Sequence, residues 1–140
     1  MTGFDIASAT EILRREFAPW VQDLDLSVAA LGADRATLAM RAGPRTQRAG
    51  GVVCGQALMA LADTAMVFAV AAASGGYRPM TTVGQTVSFM KPATGATIAA
   101  EARVLRLGKS LAFGEIAITD AGALVAHATA TYAILGPVAT

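Results

Sequence analysis

Val52–Ala73 reads VVCGQALMALADTAMVFAVAAA, and Asp63 is its one formally charged residue. A run of this length can cross a bilayer as a helix or form the centre of a soluble core. In either place an ionised Asp loses hydration worth several kcal/mol unless it is paired or hydrogen-bonded. A carboxylate kept in such a setting points to chemistry or to a specific partner. Fold and function therefore both turn on how this stretch is housed.

The rest of the chain favours the soluble reading. Asp at a membrane midplane costs about 2.5–3.5 kcal/mol, no basic cluster flanks the run on one side only, and the remaining sequence reads as strands. The 140 residues suffice for one domain, expected to span 1–140, with one real core. With 54% hydrophobic and only 15% charged residues, charge is too sparse to cover a monomer, which predicts a buried subunit interface. The net charge of +1, with basic residues scattered, argues against nucleic acid as a partner. A single cysteine, Cys54, excludes an intrachain disulfide. Together with an N-terminus lacking a basic start and an apolar stretch, it predicts a cytoplasmic protein with no membrane partner.

Working outward, Ile6–Phe17 is amphipathic at helical spacing and Pro19 is expected to stop it. Leu24–Leu31 and Arg35–Met40 read as strands around a turn at Gly32–Asp34. The Gly- and Arg-rich stretch Arg41–Gly51 reads as a loop into the long helix, whose exit is marked by Ser74-Gly75-Gly76. After Pro79 the apolar period becomes two: Thr82–Met90, Ile98–Leu107, Leu111–Thr119 and Leu124–Ile134 are predicted strands. In the last, Leu124, Ala126, Ala128, Ala130 and Tyr132 share one face, and Val125, His127, Thr129 and Thr131 the other. The short turns between these strands imply an antiparallel meander. A helix apolar on nearly all sides needs cover on nearly all sides. An antiparallel sheet curled around it gives an α+β hotdog fold, one long central helix wrapped by the sheet.

Gly51–Ala65, GVVCGQALMALADTA, followed by Thr81–Ala93, TTVGQTVSFMKPA, resembles the hotdog acyl-CoA thioesterases of the phenylacetic-acid-degradation type. That family carries Asn-x-x-Gly-x-x-His-Gly-Gly, then Leu-Ala-Asp-x-Ala on the same helix and a strand ending in Pro-Ala. The similarity runs over roughly residues 40 to 135. It implies hydrolysis of an acyl-CoA to free acid and CoA, with Asp63 in the position of the catalytic carboxylate. Gly51 and Gly55 match glycines of the pattern, and Thr82 falls where a Ser or Thr often stands near the reacting water. The sequence departs from the pattern at Cys54, which replaces the usual His, at Gln56, which replaces the second Gly, and at Arg48, which replaces the Asn. CoA enters as part of the substrate; no retained cofactor is implied, and one His with one Cys does not make a usual zinc site.

The chemistry is consistent with that resemblance. Thioester hydrolysis needs a base or nucleophile, a role for Asp63, and donors for the developing oxyanion. Amides at Gly55 and Gln56 open the helix, where N–H groups lack helical partners and the dipole is positive. Glycine there lets a carbonyl approach the main chain. Gly55 and Asp63, however, lie about 12 Å apart by helical rise, too far to meet one carbonyl within a chain. The resemblance implies a two-fold homodimer, or a homotetramer containing it, with the helix start of one subunit facing the Asp of the other. Arg48, grouped with Arg41 and Arg45, is either a solvated loop residue or a contact for an anionic part of the ligand. Cys54 and Gln56 are candidate site-lining residues. Met59, Met66 and Phe68 read first as core, though flexible Met side chains also suit an acyl pocket, which makes Met59 a candidate substrate-binding residue. His127, on the polar face of the last strand, is expected to lie away from the site. The competing function is a binding module, with fold and pocket retained and turnover lost.

Overall fold

The computed structural model describes residues 3–139. The chain forms α1 (Ile6–Glu16), α2 (Pro19–Gln22), β1 (Leu26–Leu31), β2 (Arg35–Arg41), β3 (Gln47–Arg48), β4 (Val52–Val53), α3 (Gly55–Ser74), β5 (Met80–Phe89), β6 (Thr97–Leu107), β7 (Leu111–Asp120) and β8 (Ala123–Ile134). Six strands make one sheet in the order β1-β2-β6-β7-β8-β5, every neighbouring pair antiparallel. The 20-residue α3 lies across its concave face, chiefly against β6 and β2 and then β7. This is the hotdog arrangement expected from the apolar run.

The ends of α3 follow from its sequence. Cys54 sits extended at the N-cap and offers no side-chain cap. At the other end Gly75 takes the left-handed conformation (φ 77°), and the Gly76 amide reaches back to the Ala71 carbonyl at 2.9 Å, a glycine-terminated stop. Between them α3 buries Leu58, Leu61, Ala62, Ala65, Met66, Phe68 and Val70. It is the one helix among the described residues long and apolar enough to cross a membrane, and 67% of that window is buried inside the fold. Gly114 on β7 makes room for Met66 of the helix: a Cβ there would lie 2.4 Å from Met66 Cε and 2.8 Å from the Arg103 carbonyl oxygen.

Helix α1 starts at Asp5, whose carboxylate accepts the Ser8 amide at 2.8 Å, and it buries Ala9, Ile12 and Leu13 at helical spacing. Phe4 and Phe17, flanking α1, stack on Phe68 of α3 with ring centroids 6.5 and 5.7 Å away. This clamps the C-terminal half of α3 on the side away from the sheet. A strip of its N-terminal half (Gln56, Met59, Ala60 and Asp63) stays partly open.

The structure revises several boundaries. Helix α1 ends at Glu16, before Pro19; the proline instead opens the short α2, where its fixed φ suits the first helical position. Strand β1 begins two residues later than expected because Asp25 has φ 57°. The expected loop Arg41–Gly51 contains one arm of a hairpin, β3 pairing with β4 around Gly50 and Gly51, both at positive φ, where glycine carries no steric cost. In β5 the pairing shifts register between Thr82 and Gly84. That β-bulge leaves Val83 61% exposed and lets Thr82 face the helix along with Gln85 and Val87. A second shift, between Ile118 and Thr119, breaks the alternation at the start of β8: Val125 is fully buried while Leu124 is 45% exposed.

Candidate active site

Asp63 is half-buried in the middle of α3, on the strip that stays partly open. Thr82, turned inward beside the β5 bulge, donates its hydroxyl to Asp63 Oδ1 at 2.9 Å. Tyr132, opposite Thr82 in the β5–β8 ladder, is only 2% exposed. Its phenol donates to Asp63 Oδ1 and lies 2.6 Å from the Asp63 main-chain oxygen. Two hydroxyls thus converge on one carboxylate oxygen, while among the described residues no donor is recorded at Oδ2. Burial, then the neighbouring Asp63 charge and its hydrogen bond, push the Tyr132 hydroxyl well above its ordinary pKa of 10.0, so it remains a donor at any working pH.

The carboxylate faces a cavity of about 280 Å³ walled by Phe17, Trp20, Tyr77 and Met80, with Glu16 as its second carboxylate. Burial, with the Glu16 charge added, also raises the Tyr77 hydroxyl. Among the described residues no Lys, Arg or His lines this cavity.

Gly55, the first residue of α3, opens on a separate cavity of about 300 Å³ with Arg48, Phe89, Met90 and Lys91. The amides of Gly55 and Gln56 have no acceptor among the described residues. This is the situation expected of a helix start. The two cavities share no lining residue, so one protomer keeps carboxylate and helix N-terminus apart, as the helical rise requires. Their electrostatics also differ: acidic at Asp63, cationic around Gly55.

Cys54 and Gln56 line a third cavity of about 230 Å³ with Arg45 and Asp23; Trp20 borders both this cavity and that of Asp63. Met59 is not core: it is 39% exposed, and its carbonyl accepts from Gln85 Nε2 at 3.1 Å. Met66 and Phe68 are fully buried. His127 lies on the outer face of the sheet, bound to Glu115 at 3.1 Å, and Glu115 also takes Arg103 Nη2 at 2.5 Å. Among the described residues no group of three or more His, Cys, Asp or Glu could hold a metal ion. The sequence reading missed Tyr132. Its place on the inward face of β8 held the clue, since a buried tyrosine hydroxyl needs a partner.

A hotdog sheet with a hydroxyl-bound carboxylate on its central helix defines an α+β protein of the hotdog class. The family model of the Thioesterase superfamily matches residues 50–127, more than half the chain, and the chain belongs to that superfamily. No curated protein matches it by sequence. Among solved structures, thioesterase HI1161 from Haemophilus influenzae superposes with a TM-score of 0.85 at 20% identity, over 96% of this chain and 93% of that one. The Escherichia coli PaaI protein of the phenylacetic acid degradation operon gives 0.81 at 20%, over 96% and 99%. At these identities the likeness is one of fold. A mutant of the phenylacetic acid degradation protein PaaI from Thermus thermophilus gives 0.74 at 26%, over 84% and 100%.

Proposed function

We propose that the protein hydrolyses an acyl-CoA thioester to the free acid and CoA, at sites shared between two subunits. The observation that carries this reading is the Asp63 carboxylate, fixed through Oδ1 by two hydroxyls and lining a cavity that aromatic and polar side chains share. Water adds to the thioester carbonyl and the C–S bond breaks. The proton lost by water passes through Asp63 to the departing CoA sulfur. In the nucleophilic variant Asp63 attacks first, and water hydrolyses the resulting anhydride. Unpartnered amides at Gly55 and Gln56 of the second subunit stabilise the oxyanion. Arg48 and Lys91 beside them supply positive charge for the CoA phosphates, and Cys54, Gln56 and Met59 line the approach. CoA arrives and leaves with the substrate.

The dimer draws support from the free edge of the sheet. Strand β5 is terminal, ten residues long, and leaves Val83, Phe89 and the adjoining Met90 exposed, an edge that proteins normally cover. A homotetramer would contain the same pair. A cytoplasmic setting suits the lone unpaired Cys54.

A thiol-release assay across short, long and aromatic acyl-CoA substrates tests the proposal. Turnover that Asp63→Asn abolishes supports it; tight binding of acyl-CoA without turnover refutes hydrolysis. That second outcome would identify a binding module, a reading favoured by one observation: the helix mouth carries the Cys54 thiol, and the only imidazole, His127, is engaged by Glu115 on the outer face.

A further inference from the structure

We propose that Tyr132 is a positioning residue for the Asp63 carboxylate: together with Thr82 it occupies Oδ1 and so assigns Oδ2 as the oxygen that meets water or the thioester. This rests on the hydrolase reading above. It goes beyond the family match, which ends at residue 127, five residues short of Tyr132.

The geometry separates the two carboxylate oxygens. Thr82 and Tyr132 approach Oδ1 from neighbouring strands. Hydrogen bonds to a charged carboxylate are the strong ones, so two of them fix the side-chain torsion and leave Oδ2, which has no donor among the described residues, as the unoccupied oxygen of a carboxylate that lines the cavity. The phenol has a single proton and two acceptors within reach, Oδ1 and the Asp63 carbonyl at 2.6 Å. While Asp63 is ionised the charged oxygen takes it. Once Oδ2 accepts a proton, the phenol can turn to the carbonyl, so a buried hydroxyl is never stranded without an acceptor. Tyr132 therefore supports both protonation states that a turnover cycle requires.

The test is the pH dependence of steady-state hydrolysis by the whole protein, using the acyl-CoA that the panel identifies. Tyr132→Phe should lower kcat about 10- to 100-fold, the worth of one hydrogen bond to a charged group, while KM moves less than about threefold. The shape of the pH profile should change as well, whereas a merely structural loss lowers the rate alike at every pH. Glu16, Tyr77 and Tyr132 are the other titratable groups lining the cavity; Glu16→Gln identifies any limb that belongs to Glu16. Thr82→Ala should change kcat and the profile in the same way, and Thr82→Ser should restore both.

If Tyr132→Phe fails to fold, 3-fluorotyrosine incorporated in a Tyr77→Phe background keeps the hydroxyl and strengthens it as a donor. The pH profile should then differ from that of unlabelled Tyr77→Phe, and an unchanged profile overturns the role. A folded Tyr132→Phe with wild-type kcat, or with reduced activity and an unchanged profile shape, overturns the positioning role alone. Absence of turnover by the wild-type protein overturns the hydrolase reading and this inference with it.

Discussion

Gly55→Pro removes one N–H from the helix start and little else. Cys54 already has φ −69° and ψ 151°, the extended conformation a residue before proline needs. Position 55 is the first of the helix, where proline is most at home. The lost amide has no acceptor among the described residues, so no internal hydrogen bond breaks, and an added Cβ would lie 3.4 Å from the Phe89 ring, an ordinary contact. Stability should change by no more than about 1 kcal/mol. If that amide binds the oxyanion, kcat should fall about 10²- to 10³-fold.

Mixing then asks where the site lies. Gly55→Pro and Asp63→Asn are each inactive alone. If each site joins the Asp63 of one subunit to the helix start of the other, a mixed dimer holds one site with both lesions and one with neither. Random assortment of equal amounts makes half the dimers mixed, so activity should return to about one quarter of wild type. The assay is thiol release after co-expression or co-refolding. Activity no higher than the average of the two parents would refute the shared site.

Two further outcomes follow from the sheet. Gly114→Ala places a methyl against Met66 and the immovable Arg103 carbonyl, and thermal unfolding should show a loss of about 1–3 kcal/mol. Glu115 is held below its ordinary pKa of 4.5, first by the Arg103 hydrogen bond and then by His127. A lowered carboxylate stabilises above its unfolded value and loses that contribution as pH falls through its folded value. The Tm gap between wild type and Glu115→Gln should therefore be largest near neutrality and close below pH 4.5, and salt should shrink it because the pair is exposed. A gap that widens in acid would contradict the assignment.

The long helix was legible because its apolar run ends in Gly75-Gly76 and because a lone carboxylate in such a run needs a reason. Local signals of this kind lie within one continuous stretch of the chain. The bulge at Val83 left no such trace: strict alternation through Thr82–Met90 would set Thr82 and Gln85 on opposite faces, and only the pairing with β8 shows that they share one. The partnership of Tyr132 with Asp63 spans 69 residues and exists only once the sheet has curled around α3. The hairpin β3–β4 was hidden because two-residue strands carry no period, although Gly50-Gly51 was a turn signal. Met59 looked like core because periodicity reports that a helix is apolar all round, not which face its neighbours leave open.

The most direct measurement is the rate at which purified protein releases CoA from the acyl-CoA panel, wild type beside Asp63→Asn. The substitution keeps size and shape, so the fold should persist while hydrolysis falls at least about 10²-fold, as for loss of a general base. Hydrolysis that survives in a folded Asp63→Asn protein would contradict the central claim.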